Sequence, residues 1–473
     1  MTNSMLRMPL AALATAILSA CAVGPDYQAP ELKASELTNL TAAAQSGVSQ
    51  DPLWWRQFDD PQLNQLIEAT LKNNPSLAAA KANVDAAYAQ FMDISNDILP
   101  SGDIEASHQA QSQLTPGMGD ARIHSRSAHL GANLNWTLDL FGKLRRATEA
   151  AQADAQASEQ AWQEVRISLL AEVANQYATS QALNSRIEVA RQNLQSLTQT
   201  RAIIQARLDS GYASQLDLLR MDAQLKGVEA SIPQLEAQRL RSRNTLLALA
   251  GGSQQLPDWQ WQDRALPKLS QPVAISQPER LLQARPNVQQ AERQLAAATA
   301  RIGVAKAASY PELSVNGFLG FLSLGSTEFD SQTRAWSLAP SLRLPAFDMS
   351  SVKAQIDVAN ARQRAALANL QQQWLNAVAD AQSALTDYSF SQQQSHLLQA
   401  QVDASQQALQ LAQLQYDAGA IELLDLLDSQ RTLLAAHDNL VQAQHRTFSA
   451  LTNVYTAFGG SLTVPESDLL ASH

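Results

Sequence analysis

Two carboxylates, Asp425 and Asp428, stand three residues apart, with Glu422 three residues before the first. On a helix this spacing puts the acids on one face. They attract cations if that face borders a confined space and are ordinary solvated surface otherwise. The single cysteine, Cys21, leaves neither an intrachain disulfide nor a Cys-x-x-Cys metal site. Among seven histidines the nearest helical pair is His437 and His445, two turns apart, with no cysteine or carboxylate arranged to complete a metal set. No GxxxxGK(S/T) phosphate loop, GxSxG elbow or HExxH helix occurs. The expectation is therefore a protein that is not an enzyme, with no metal and no cofactor apart from a covalent lipid on Cys21.

That lipid is read from position. Arg7 and the apolar run Met8 to Ala20 form an export signal, and Leu18-Ser19-Ala20-Cys21 has the pattern of a bacterial lipobox. Cleavage before Cys21 leaves it as the new N-terminus, acylated on sulfur and amine. Residue 22 is Ala and not Asp, the choice that goes with onward transport to the outer membrane. Residues 1–20 are thus expected to be a signal peptide. Residues 21–60, with Pro25, Pro30 and Pro52, read as a lipidated extended arm.

The elements that position these residues follow from composition and period. The 473 residues carry 44 acids against 34 Lys and Arg, a net charge of −10, which argues against a nucleic-acid partner. Ala is roughly one residue in six and Gln roughly one in nine, which suits closely packed long helices better than a deep aromatic core. No run of 18 apolar residues exists to make a spanning helix. Lys143 to Ser210 and Met349 to Ala418 contain neither Gly nor Pro, and each predicts a continuous helix about 100 Å long. Leu183, Ile187, Ala190, Leu194, Leu197, Ile204 and Leu208 keep a 4-3 spacing interrupted only by Arg201, and Leu398, Val402, Leu409, Ala412 and Tyr416 keep the same rhythm, so the helices read as coiled coil.

Each window stops at a glycine followed by a related phrase. Asp209-Ser210-Gly211 precedes Leu216-Asp217-Leu218-Leu219, and Asp417-Ala418-Gly419 precedes Leu424-Asp425-Leu426-Leu427. Gly251-Gly252-Ser253 and Pro257 return as Gly459-Gly460-Ser461 and Pro465, while Pro75 and Pro100 return as Pro286 and Pro311. The chain is an internal duplication. Repeat one spans 61–260 (a helix, a β-hairpin at about 101–140, a long helix 143–210, a return helix 216–250). An equatorial linker covers 261–276. Repeat two spans 277–465 (a helix, a hairpin at about 312–346, a long helix 349–418, a return helix 424–457), before a tail at 466–473. Pro233 has Val441 as its counterpart, so a kink is expected in one return helix only.

The hairpins alternate with period two: Ala128, Leu130, Ala132, Leu134, Trp136, Leu138 and Leu140; Leu313, Val315, Gly317, Leu319 and Phe321; Trp336, Leu338, Pro340, Leu342 and Leu344; more weakly Ile104 to Leu114. Strands of about ten residues with one greasy face have the length that crosses a bilayer when tilted. Lipid tolerates β-structure only as a closed barrel, and four strands cannot close one, so spanning hairpins require several chains to share a barrel.

At this point the sequence resembles the TolC-like outer membrane factors, in the lipoprotein branch called the NodT or OprM family. The resemblance rests on Cys21-Ala-Val-Gly-Pro-Asp-Tyr-Gln-Ala-Pro30, on Trp54-Trp55-Arg-Gln-Phe-Asp-Asp-Pro-Gln-Leu63, on Leu138-Asp-Leu-Phe-Gly142, and on both glycine turns and the repeated Gly-Gly endings. It covers essentially the whole mature chain. It implies a mainly α fold with membrane β: a homotrimer with a twelve-stranded transmembrane barrel, four strands per chain, over an α-helical barrel in the periplasm. It further implies outer-membrane lipid as surroundings, docking on an inner-membrane pump through a periplasmic adaptor (membrane fusion) protein, and export of drugs or other small toxic compounds. Gly211 and Gly419 match the tips that meet the adaptor. Asp425 and Asp428 match positions ringing the constricted periplasmic mouth, Leu424 an apolar constriction, and Tyr416 a tyrosine of the gate's hydrogen-bond latch. Ile421 stands where some relatives carry an arginine of an ionic latch, so closure here is expected to lean on leucine packing. The alternative is a periplasmic coiled-coil lipoprotein with an adaptor or structural role, which would need neither the duplication nor the hairpins.

Overall fold

The first two α-helices begin where a short polar side chain meets a proline. Asp60 accepts from the backbone N–H groups of Gln62 (2.9 Å) and Leu63 (3.3 Å), with Pro61 at the first helical position. Asn74 does the same for Ser76 and Leu77 ahead of the next helix, and its amide donates to the carbonyl of Leu249. The computed structural model describes residues 22–32, 53–114, 122–256, 259–267, 275, 278–324 and 328–460. The signal peptide, Cys21, the middle of the arm, Ser461, Pro465 and the tail lie outside the described residues.

A 3-10 turn at Trp54–Phe58 is followed by α1 (Pro61–Asn73), α2 (Pro75–Asn96), β1 (Ser101–Leu114), β2 (Arg122–Leu138), α3 (Lys143–Asp209) and α4 (Gln215–Leu249). Repeat two then supplies α5 (Pro278–Gln283), α6 (Pro286–Ala307), β3 (Glu312–Leu324), β4 (Arg334–Arg343), α7 (Met349–Asp417) and α8 (Leu423–Ala457). The 67 residues of α3 and 69 of α7 are single unbroken helices, and α4 and α8 have 35 residues each. Pro233 sits inside α4, where it removes one hydrogen bond without ending the helix. Among the described residues no helix is long and apolar enough to cross a membrane.

The chain divides into two compact units: Met1–Glu31, Ala82–Glu159 and Gln290–Gln371 form the first, and Leu32–Lys81, Gln160–Gln289 and Gln372–His473 the second. The first holds the sheet, antiparallel in the order β1-β2-β3-β4. Each hairpin comes from one repeat, and the two join where β2 pairs with β3, with Leu138 opposite Leu313 and Gly131 opposite Gly320. Register gives the sheet two unlike faces. Ile104, Leu130, Leu134, Trp136, Leu319, Phe321, Trp336, Leu338 and Leu342 share one, and of these Ile104 is 82% and Trp336 78% exposed. The other carries Asp103, Glu105, Asn133, Asn316 and Ser337, with the Asn133 amide donating to both carboxylates. On this face the Phe318 ring lies across the facing Gly131 and Gly320, where any Cβ would collide with it.

In this unit the arm is extended over 22–32. Val23 N–H donates to the carbonyl of Phe141 (3.1 Å), just past β2, and Asp26 pairs with the buried Arg146 (2.6 Å). Tyr27 donates to Glu292 (2.5 Å), and burial beside that carboxylate pushes its phenol pKa up.

In the second unit the arm stops being extended. Trp54, Trp55 and Phe58 are buried: Trp54 stacks on Tyr455 with centroids 4.8 Å apart, and Phe58 lies 4.7 Å from Phe448. Burial pushes the Tyr455 pKa up to about 12. The four long segments pack in the order α4, α3, α8, α7. Arg201 with Asp222 and Arg191 with Glu236 join α3 to α4, and Arg186 grips Asp438 to join α3 to α8. Val402 of α7 packs with Ala436 and Leu440 of α8. The linker is clamped by side-chain amides. Gln62 donates to the carbonyl of Gln260 and accepts from Gln262 N–H, while Gln181 donates to the carbonyl of Gln262 and accepts from Arg264 N–H.

Candidate functional site

The turns at Gly211 and Gly419 are built alike, bond for bond. Gly211 N–H reaches the carbonyl of Leu208 (2.9 Å) and Tyr212 N–H that of Arg207 (2.7 Å); Gly419 reaches Tyr416 (3.0 Å) and Ala420 reaches Gln415 (2.8 Å). Both are Schellman closures, which need a left-handed residue, and φ is +80° and +74°. Nothing lies within 4 Å of where a Cβ would stand on either glycine, so the backbone angle and not crowding requires it.

The return helices start alike too. Ser214 Oγ accepts from Asp217 N–H, and Asp217 Oδ2 accepts from Ser214 N–H (both 3.1 Å), a reciprocal capping box. At the equivalent place Glu422 N–H donates to Asp425 Oδ2 at 3.3 Å. Asp425 and Asp217 therefore do the same capping work, and the acidic excess of the second turn lies in Glu422, where the first repeat has Ser214, and in Asp428, where it has Arg220. Asp428 is 71% exposed and lies 3.4 Å from Arg431.

The two turns share one apolar core: Leu197, Ile204, Leu218 and Met221 from the first, Tyr416, Leu423, Leu426 and Leu427 from the second, with Ile421 packed against it. Of Leu423, Leu424, Leu426 and Leu427, Leu424 faces outward, at 45% exposure, as does its counterpart Leu216 in the first repeat. Four residues on from Leu424, Asp428 shares its face. The buried Tyr416 ring has the Arg207 guanidinium 4.6 Å from its centroid, and Arg207 lies 3.9 Å from Asp417.

Arg207 was not singled out by motif or period, because its partners belong to the other repeat. The only hint is its place beside a glycine turn. The Arg201 guanidinium holds the Asp222 carboxyl below the usual range. His445 sits with Nε2 3.0 Å from Thr179 Oγ1, and burial depresses its pKa. Among the described residues no group of three or more His, Cys, Asp or Glu is placed to hold a metal ion.

Residues 66–252 and 277–460 match the family described as Outer membrane efflux protein, two segments that follow the two repeats. The chain is 28% identical over 457 residues to Nodulation protein T of Rhizobium leguminosarum bv. viciae, covering 96% of this chain and 94% of that one. It is 30% identical over 447 residues to Outer membrane protein OprJ of Pseudomonas aeruginosa, covering 94% and 93%. Among solved structures, the outer-membrane channel OprN aligns with a TM-score of 0.88 at 36% identity, over 93% of this chain and all of that one. Duplicated glycine-turned helices, a four-stranded two-faced sheet and these matches lead to one conclusion: the chain belongs to the outer membrane efflux protein family.

Proposed function

We propose that the protein is the passive outer-membrane exit duct of a tripartite efflux pump, working as a homotrimer that exports drugs or other small toxic compounds. The observation that carries this is the sheet: four strands with a strongly exposed apolar face and two outer edges, β1 and β4. A lipid-facing sheet must close to satisfy its backbone. Joining β4 of one chain to β1 of the next, three times, gives a twelve-stranded barrel. From Ala128 to Leu138 the apolar face covers about 34 Å of strand, roughly 25 Å of membrane at the usual tilt.

Placement supports the finer parts of the reading. Lipid on Cys21 would start one residue before Ala22, next to the hydrogen bond that fastens Val23 beyond the end of β2, so its acyl chains would enter the leaflet bordering the helices. The turns at Gly211 and Gly419 would meet the periplasmic adaptor, which connects the duct to the inner-membrane pump. Leu424 and Asp428, on one outward face, with Asp425 beside them and Tyr416 behind, would line the periplasmic mouth. Closure would depend on the leucine and on the Arg207–Tyr416 contact, because Ile421 offers no charge.

Fractionation of a Cys21→Ser variant tests the reading against the periplasmic lipoprotein alternative. The duct still requires detergent to leave the outer membrane. A wholly soluble variant overturns it.

A further inference from the structure

We propose that the hairpin end of the sheet's apolar face binds a phosphorylated glycolipid of the outer leaflet, a lipid with several acyl chains beneath phosphate-bearing sugars. The inference rests on the proposed reading that the sheet spans the outer membrane.

The register places His108, Arg122, His124, Arg126 and Arg334 on the same face as Leu130, Leu319 and Trp336. All five lie toward the hairpin turns. Among the described residues of the four strands that face carries no Asp or Glu, in a chain where acids outnumber Lys and Arg by 44 to 34. The acids of the sheet, Asp103, Glu105 and Glu312, occupy the opposite face at the opposite end. Arg122, Arg126 and Arg334 are exposed, and none has a carboxylate partner among the described residues. The β3–β4 turn folds toward this face through Phe329, whose ring centroid is 5.9 Å from that of Phe321. The carboxylates of that turn lie outside the strands: Asp330 accepts from the N–H groups of Gln332 and Thr333, and Glu328 is exposed.

Indifferent headgroup-level surface would mix both signs. A one-signed guanidinium band above large apolar side chains fits an anionic oxygen cluster above acyl chains. Guanidinium groups bind phosphate oxygens two at a time. Arg122 and Arg126 stand four residues apart on one strand face, about 13 Å, the reach of a sugar pair phosphorylated at each end.

The test uses the full-length protein purified from outer membranes in detergent, with retained glycolipid measured by its hydroxy fatty acids and rebinding measured with purified lipopolysaccharide. Wild type and the Arg122→Lys, Arg126→Lys, Arg334→Lys variant should retain glycolipid. The corresponding triple Gln variant should bind at least tenfold more weakly, and dephosphorylated glycolipid should bind wild type as weakly. The proposal is overturned if the membrane-inserted Gln variant binds like wild type, or if phosphatidylglycerol vesicles compete as well as the glycolipid. Should the triple Gln variant not insert, Arg122→Gln and Arg334→Gln singly decide, each expected to weaken binding severalfold and overturning the proposal if neither does. Wild-type protein released without detergent would instead defeat the membrane-spanning reading itself.

Discussion

Asp425 performs two jobs that one substitution separates. Its Oδ2 caps α8, and its charge would sit at the duct's mouth. Asparagine at this third helical position keeps an acceptor oxygen for the Glu422 N–H, so Asp425→Asn removes charge with little loss of helix stability. The double variant Asp425→Asn with Asp428→Asn is expected to lower cation selectivity and sensitivity to multivalent-cation block in planar-bilayer recordings. Unchanged selectivity and block would take both residues out of the pore. His445 offers a titration of its own. Burial depresses its pKa in the folded chain, so the unfolded chain binds the proton more readily, and stability falls as pH drops through the ordinary histidine value of about 6.5 toward the folded one. Denaturant midpoints measured from pH 7 to pH 5 should decline, and His445→Gln, which keeps a polar group near Thr179, should flatten that decline. An equal slope in the variant would assign the pH dependence to other groups.

The turns and strands carry the consequences of glycine. At Gly419 a side chain meets open space but an unfavourable φ, at a cost of roughly 1–2 kcal/mol. Gly419→Trp is therefore expected to fold and assemble yet to lose export, because the indole would occupy the surface offered to the adaptor. Normal drug resistance in a strain carrying it would move adaptor contact elsewhere. In the sheet the same element type acts by closeness. Gly131→Val would displace Phe318 and open the β2–β3 junction, which should abolish the proposed trimer, read as particle mass in mild detergent, while Ser107→Val, elsewhere on that face, leaves it intact. These elements show why some of the fold was legible in the sequence. Glycine turns and long Gly- and Pro-free helices are local: return helices expected at 216–250 and 424–457 are found at Gln215–Leu249 and Leu423–Ala457, whereas β2 starts at Arg122, six residues ahead of the alternation read from Ala128, because its polar start carries no greasy period. Contacts between distant segments left no such trace. The β2–β3 pairing, Arg207 over Tyr416, and the linker held by Gln62 and Gln181 each join distant residues of types that carry no period. The burial of Trp54 and Phe58 was missed for the same reason, since their partners on α8 lie almost four hundred residues away.

At the scale of the whole molecule, the sheet of one chain ends among the described residues in two open edges, β1 and β4, which in lipid only neighbouring copies can pair, and this is the condition for obligate assembly. The two outer edges of that sheet have a further consequence, and it is genetic. Each copy must offer a sound β1 and a sound β4 to different neighbours, so one defective copy spoils every ring it enters. In a cell making equal amounts of normal chain and a chain altered only at one edge, random mixing of three leaves about one ring in eight free of the altered copy. An edge-disrupting allele, such as one placing proline within β1, should therefore act dominantly over a normal gene, while an allele that destroys the whole chain should be recessive. Resistance measured across graded co-expression should fall as roughly the cube of the normal fraction for the first and in direct proportion for the second.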